Sequence, residues 1–330
     1  MLLHPDVHQP FSQWSEDATL HVACAYSNPL RWRTRRVLMN DFRQHMQASP
    51  NVVLHAGELA YGDRPFEVTG NYSGDVQLRT IHELWHKENI LNRVINTFPS
   101  DWKYGAIIDA DFHMTRRDWA LEAIHQLQHF DFVQLFSTYA DLAADYVPYR
   151  VMPSFAWNYQ KGPQTVGACG PYGSAGPGAT GGAWAFRRSA FDTVGGLLDV
   201  CILGSADWHM AFGLIGKTNP APEATRCSTP YMKTVERWQD RASVLTRNIG
   251  CVENHALHYF HGSKTQRAYG ERWKILRDND YDPLTDLMRD WQGILQLAGN
   301  KPKLRDDIRR YFRARNEDDL TLRGAERRSV

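Results

Sequence analysis

Short apolar segments alternate with amphipathic segments along most of this chain, and this alternation constrains the fold more than any other feature. Apolar runs typical of buried strands occupy residues 21–26, 52–55, 104–108, 132–136 and 183–186. Spacing typical of helices occupies residues 33–47, 76–98, 117–128, 189–194 and 206–214. Strands that alternate with helices predict an α/β fold, with a mostly parallel sheet and helices on both faces.

The sequence is less regular outside these segments. Seven glycines between residues 167 and 182 predict a long loop over one face of the sheet. Beyond residue 230 the pattern favours helices, apart from a strand at 255–260. The 330 residues suit one large α/β domain followed by a C-terminal helical extension.

Composition and charge restrict the class of protein. A formal net charge of +1 produces no global field that attracts nucleic acid or an anionic membrane. The five cysteines are scattered and form no C-x-x-C pair, which disfavours a disulfide framework and a zinc knuckle. No segment approaches the ~20 apolar residues of a membrane span, and the start of the sequence has no signal-peptide pattern. We therefore expect no membrane span and a cytoplasmic location.

The strand predicted at 104–108 runs directly into Asp109-Ala110-Asp111. Two carboxylates one residue apart at the carboxyl edge of a sheet present oxygen ligands to a divalent cation and the diphosphate that it neutralises. The same pattern also occurs at ordinary solvated strand ends, so by itself it leaves both interpretations open.

Basic residues follow the first predicted strand in the segment Pro29-Leu30-Arg31-Trp32-Arg33. Guanidinium groups at this edge are able to grip a diphosphate bidentately, although the segment is also typical of a solvated helix start. The charged residues at 85–89 fall within a predicted helix. We predict that they face solvent and assign them no role.

Two later motifs also carry polar side chains to the ends of predicted elements. Gly181-Gly182 permits close backbone approach to a ligand ahead of Trp184, and Asp207 opens a helix, where an aspartate is often only a cap. His258 and His261 end an apolar strand, either as metal ligands or as hydrogen-bonded residues of the rim.

In order and spacing, these motifs resemble those of the metal-dependent GT-A glycosyltransferases, in particular the β-1,4-galactosyltransferase type, and also the family-two-like transferases of bacteria and their phages. The resemblance spans about residues 20–265. It implies a GT-A (Rossmann-like) fold, a UDP-sugar as donor substrate and Mn²⁺ or Mg²⁺ as cofactor. In-line attack on such a donor with one carboxylate base predicts inversion at the anomeric carbon.

The resemblance also assigns roles to individual residues. Asp207 matches the catalytic base that removes a proton from the acceptor hydroxyl, but the position before it is Ala206, where the family has an acidic residue. The implied metal ligands are Asp109, Asp111 and His261, with His258 as the alternative to His261. The residues implied to bind the nucleotide sugar are Pro29, Arg31, Arg33, Asp109, Gly182 and Trp184.

This assignment predicts how the chain is divided. Residues 1–265 form the catalytic domain, in which about residues 20–135 bind the nucleotide sugar and about residues 136–265 bind the acceptor. Residues 266–330 form the helical extension, in which no family signature is visible.

Three interpretations of the acceptor remain open. The first is a 5-hydroxymethylpyrimidine such as 5-hydroxymethylcytosine in phage DNA, flipped out of the duplex, with the basic stretches at 31–36 and 301–315 contacting phosphates. Those stretches are equally typical of solvated helix faces. The second is a polysaccharide or lipid-linked glycan. The third is a non-catalytic carbohydrate-binding protein on the same fold, an interpretation favoured by Ala206.

Overall fold

The computed structural model describes residues 18–162, 176–217, 226–245 and 248–320, so residues 167–175 of the predicted glycine-rich loop lie outside it. Its strands are β1 (Leu20–Ser27), β2 (Val52–Tyr61), β3 (Val76–Thr80), β4 (Tyr104–Ile108), β5 (Phe112–Met114), β6 (Phe132–Gln134), β7 (Thr138–Leu142), β8 (Pro148–Pro153), β9 (Ala183–Arg187), β10 (Ile249–Cys251), β11 (His255–His258), β12 (Leu287–Arg289) and β13 (Leu295–Leu297). Its helices are α1 (Arg33–Ala48), α2 (Lys87–Ile95), α3 (Trp119–Gln126), α4 (Phe155–Lys161), α5 (Arg188–Val194), α6 (Ala206–Leu214), α7 (Thr229–Ala242), α8 (Tyr269–Asp278) and α9 (Pro302–Ala314).

Seven strands form the central sheet, in the order β10-β6-β9-β4-β1-β2-β3. Neighbouring strands pair in parallel except at β9, which runs antiparallel to both β6 and β4. The prediction of an α/β fold with a mostly parallel sheet is therefore confirmed. Because β1 and β4 are adjacent and parallel, the motifs that follow them meet at one edge of the sheet.

Helices cover both faces of the central sheet. On one face, Leu20, Val22 and Cys24 of β1 belong to an apolar core with α1 and α3. On the other face, Ala23 belongs to a core formed with α2, α5, α6 and α7. Since both faces of β1 are buried, its sequence is a nearly continuous apolar run. None of the described helices has the length and apolar character needed to cross a membrane.

A second sheet begins directly after the Asp-x-Asp motif, with strands in the order β5-β11-β7-β8. β11 pairs antiparallel with β5 and parallel with β7. The sequence predicted only β11 of these four strands. β5 has only three residues and β7 carries the buried Asp141, so neither shows a recognisable apolar period.

The helix predicted at 76–98 is wrong. The segment contains the strand β3, which pairs in parallel with β2, and then α2, which begins only at Lys87. Within β3, Leu78 and Thr80 are buried and Gln77 is exposed. Five residues with a period of two also fit a helical spacing when the apolar residues that follow are included. Pairing with β2 made this segment a strand rather than part of a helix.

The C-terminal extension contains more than helices. A hairpin of β12 and β13 separates α8 from α9, and its three-residue strands are too short to give a sequence pattern. Leu276 of α8 and Ile308 of α9 belong to the same apolar core as α2 and α6. The described part of the extension therefore packs on the main core, and the division at residue 265 stays a prediction.

Candidate active site

Three side chains that suit a metal ion meet beyond the carboxyl end of β4, and we refer to Asp111, His258 and His261 as the metal cluster. Asp111 directly precedes β5, and His258 is the last residue of β11. The pairing of these strands places Phe112 opposite His258, and the Tyr259 backbone N–H donates a 2.8 Å hydrogen bond to the Asp111 carbonyl. One potential ligand atom from each member lies within 4.8 Å of the others.

The donor atoms of the metal cluster fit a divalent cation. Asp111 Oδ2 lies 2.6 Å from His261 Nε2 and 3.7 Å from His258 Nε2. Within the described ranges, Asp111 Oδ1 and His261 Nε2 are buried and have no partner with hydrogen-bond geometry. Buried polar atoms in this state suit metal coordination, and a carboxylate with two imidazoles suits a transition-metal ion.

Each histidine of the metal cluster turns its Nδ1 atom toward a second, buried carboxylate. His258 Nδ1 lies 2.6 Å from Asp141 Oδ1, and His261 Nδ1 lies 3.6 Å from Glu317 Oε2. This is the arrangement in which metal-binding histidines are usually held. Both rings therefore direct Nε2 toward Asp111.

The charges of the metal cluster follow from these contacts. Burial raises the pKa of Asp111, but His261 and His258 outweigh burial and hold that pKa well below its usual range. Burial lowers the pKa of His258, but the nearby carboxylates of Asp111 and Asp141 outweigh burial and raise it to about 9. Asp111 is thus ionised, as a metal ligand must be, and metal binding at His258 would require loss of a proton near neutral pH.

The metal cluster includes Asp111 and His261 of the predicted ligand set, together with the predicted alternative His258. His258 joins His261 at Asp111 rather than replacing it. Asp109 lies outside the metal cluster, because its Oδ1 atom is 2.5 Å from Lys87 Nζ. The role of Asp109 as a metal ligand stays a prediction.

Lys87 begins α2 and is the cation that holds Asp109. Burial lowers the pKa of Lys87, but Asp109 and Glu88 outweigh burial and raise it. Lys87 and Asp109 line both the cleft that opens onto the metal cluster and the cavity that contains Asp207. This lysine therefore connects the two parts of the candidate site.

The prediction that residues 85–89 face solvent is wrong. His86, Glu88 and Asn89 are buried, and His86 Nε2 lies 2.8 Å from the Leu295 carbonyl of the β12–β13 hairpin. The segment is not the middle of a long helix but the start of a short one at the sheet edge. The signal in the sequence was the acidic residue Glu88 directly ahead of apolar residues with helical spacing at 90, 91, 94 and 95, which is typical of a helix start.

Asp207 begins α6 and faces a cavity that it shares with Trp184 and Glu88. Thr180 Oγ1 donates a 3.2 Å hydrogen bond to Asp207 Oδ2. A Cβ atom at Gly181 would lie 2.6 Å from the same oxygen, so glycine is required for this approach. The carboxylate is therefore held in a defined position at the start of the helix.

Gly182 and Trp184 form the adjoining wall of the cavity. Gly182 has a φ of 92°, and its carbonyl accepts a 2.9 Å hydrogen bond from the Asp109 backbone N–H. A side chain at this position would also lie 2.8 Å from the Phe112 ring. Trp184 is buried and its Nε1–H donates a 2.8 Å hydrogen bond to the Thr180 carbonyl. Direct contact of these residues with a nucleotide sugar stays a prediction.

The arginines of the cleft are not the two that the sequence motif selected. Pro29 lines the cleft, together with Arg35 and Arg315. The Arg31 side chain is 61% exposed, and the exposed residue Arg33 uses its backbone N–H to bond Asp318. Arg35 and Arg315 belong to the basic stretches at 31–36 and 301–315, which the sequence analysis assigned to DNA phosphates and not to the nucleotide sugar.

No protein-family model and no curated protein matches the chain. Among solved structures, it is similar to the catalytic domain of Drosophila β1,4-galactosyltransferase 7 in complex with xylobiose, at 14% identity and a TM-score of 0.31, over 59% of this chain and 59% of that chain. It is also similar to a mutant of that enzyme in complex with manganese, UDP-Gal and xylobiose, at 14% identity and a TM-score of 0.31, over 59% of this chain and 60% of that one. The chain thus spans about three fifths of the structures that it matches.

Proposed function

We propose that this protein is a metal-dependent glycosyltransferase that transfers a hexose from a UDP-sugar to an acceptor hydroxyl. The observation that carries the proposal is the position of Lys87 and Asp109, which line both the cleft at the metal cluster and the cavity of Asp207. A diphosphate in the cleft and a sugar directed toward Asp207 would occupy adjoining spaces.

The cleft carries cations of the kind that bind a nucleotide diphosphate. Arg35, Lys87 and Arg315 line it, and guanidinium groups bind phosphate oxygens through paired hydrogen bonds. Glu317 pairs with both arginines and Asp109 pairs with Lys87, so the excess positive charge for a diphosphate would come from the bound ion. Asp111, His258 and His261 would hold the ion, and a bound Mn²⁺ would neutralise charge on the leaving diphosphate. We propose Mn²⁺ rather than Mg²⁺, because imidazole nitrogen favours transition metals and Mg²⁺ prefers oxygen ligands.

Asp207 would act as the base toward the acceptor. Its carboxylate is held by Thr180 at the start of α6, in the cavity that Asp109 and Lys87 also line. Proton removal from a hydroxyl aligned behind the anomeric carbon supports in-line displacement and inversion of configuration.

The two candidate acceptors differ in the surface charge that they require, because DNA needs cations that contact its phosphates and a neutral glycan does not. In α9, Lys303 and Arg310 pair with Asp307, and Arg313 pairs with Glu83. These ion pairs reduce the charge that α9 offers to phosphates, which weakens the support for 5-hydroxymethylpyrimidine DNA and favours a glycan hydroxyl. A non-catalytic carbohydrate-binding role would require no base, and the position of Asp207 argues against it.

The test is a donor-release assay with Mn²⁺ and UDP-glucose, UDP-galactose or their N-acetyl forms, in which UDP is measured with and without acceptor. DNA containing 5-hydroxymethylcytosine and a panel of oligosaccharides are the acceptors, and products are identified by mass spectrometry. We expect an Asp207→Asn variant to bind the donor but lose turnover by at least about a hundredfold. Full turnover by this variant, or no donor binding by the wild type, would contradict the proposal.

A further inference from the structure

The segment that follows α9, residues 315–318, forms part of the wall beside the metal cluster, and we refer to it as the C-terminal strap. Its Glu317 side chain is fully buried although it lies close to the end of the chain. The strap packs directly on the residue after His261: a Cβ atom at Gly262 would lie 3.0 Å from Glu317 Cα and 3.2 Å from the Asn316 carbonyl oxygen. Gly262 has a φ of 87°, which glycine adopts without strain.

Glu317 is held by two arginines. Arg35 binds it bidentately, with Nε 2.5 Å from Oε2 and Nη2 2.7 Å from Oε1. Arg315 Nε donates a 2.8 Å hydrogen bond to Oε1. Burial raises the pKa of Glu317, but Arg35 and Arg315 outweigh burial and hold it well below its usual range. The carboxylate is therefore ionised and fixed in position.

His261 lies between this carboxylate and Asp111. Its Nε2 atom is 2.6 Å from Asp111 Oδ2, and its Nδ1 atom is 3.6 Å from Glu317 Oε2. At that distance the contact with Glu317 is electrostatic rather than a hydrogen bond. His258 also has a carboxylate at Nδ1, at the shorter distance of 2.6 Å from Asp141 Oδ1.

We propose that Glu317 is a positioning residue for His261, and that the C-terminal strap thereby sets the affinity of the metal cluster for its ion. The proposal rests on the metal site of the proposed function. A carboxylate at Nδ1 favours the tautomer that leaves Nε2 free for the metal, orients the ring and makes Nε2 a better ligand. Removal of such a partner weakens metal affinity by about 10-fold to 100-fold.

The experiment measures Mn²⁺ binding to the full chain without donor, from the electron paramagnetic resonance signal of free Mn²⁺. We expect Glu317→Gln to raise the dissociation constant by about 10-fold to 100-fold and His261→Ala to abolish specific binding. Asp319→Asn is the matched control, because it removes a charge from a neighbouring carboxylate that bonds Gln266. It should leave the dissociation constant unchanged.

A folded Glu317→Gln variant that binds Mn²⁺ as the wild type does would overturn the inference while leaving the metal site intact. If the wild type itself binds no Mn²⁺, the proposed function fails together with the inference. If Glu317→Gln does not fold, a second measurement tests the inference. The protonation and hydrogen bonding of His261 Nδ1 are then measured by ¹⁵N NMR on the wild-type protein, loaded with Zn²⁺ as a diamagnetic probe. An Nδ1–H group whose chemical shifts show a hydrogen bond to a carboxylate supports the inference, and an Nδ1–H group without those shifts overturns it.

Discussion

Replacing Glu88 with glutamine is expected to stabilise the protein at alkaline pH. Glu88 lies in the first turn of α2, is 5% exposed and lines the cavity of Asp207. Burial raises its pKa, Lys87 opposes burial, and Asp207 adds to the rise, so that the pKa is about 7 instead of the ordinary 4.5. The folded protein therefore binds the proton of Glu88 more tightly than the unfolded chain does.

The sign of the effect follows from this difference. A carboxyl group with a raised pKa contributes stability that is fully present below its unfolded pKa of 4.5 and is lost as the pH rises through about 7. At about 1.4 kcal/mol for each pKa unit, the cost of ionising Glu88 in the folded protein is about 3 kcal/mol above pH 8. For a chain of 330 residues this corresponds to a difference of about 4 °C in Tm.

The assay compares thermal and urea unfolding of the wild type and Glu88→Gln at pH 5 and pH 8.5. The free energy of unfolding of the variant relative to the wild type should increase by about 2–3 kcal/mol between the two pH values. Glu236→Gln, at an exposed position of α7, is the control and should show no such increase. A Glu88→Gln difference that is the same at both pH values would refute the reasoning.

Three further substitutions test the site and its supports. Lys87→Met should weaken UDP-sugar binding by about 10-fold to 100-fold in calorimetry, because a cation that faces the diphosphate is lost, and unchanged binding would contradict its role. Gly182→Ala should lower Tm, since its φ of 92° and the nearby aromatic ring leave no room for Cβ, whereas Gly270→Ala meets nothing within 4 Å and should not. Asp318→Ala should cost about 1 kcal/mol in urea unfolding, because its carboxylate caps α1, and Asp319→Ala should cost less.

The elements that the sequence predicted well are those whose burial pattern is local. β4 and α6 have the predicted bounds, and α1 ends one residue beyond its predicted end. A strand buried on both faces, such as β4, and a helix with one apolar stripe, such as α1, each carry their own signal. β3 was not predicted, because its five residues at the edge of the sheet fit the period of a strand and that of a helix. Only pairing with β2 makes the segment a strand.

The candidate site divides in the same way. Asp111, Asp207 and His261 follow or begin predicted elements, so their chemistry was accessible from the sequence. The contact of Lys87 with Asp109 was not, because it depends on the position of α2 at the sheet edge. The partnership of His258 with His261 was also not accessible, since it depends on the pairing of β11 with β5.

The sequence by itself determined which segments become strands and helices and which side chains stand at their ends, because periodicity and residue type act over a few neighbouring residues. Only the tertiary structure decided which ends meet. The clearest case is α1, whose first backbone N–H groups are capped by Asp318 from 285 residues away, beside the Glu317 that faces His261. Such contacts form when distant segments pack on one core, so no local sequence pattern predicts them.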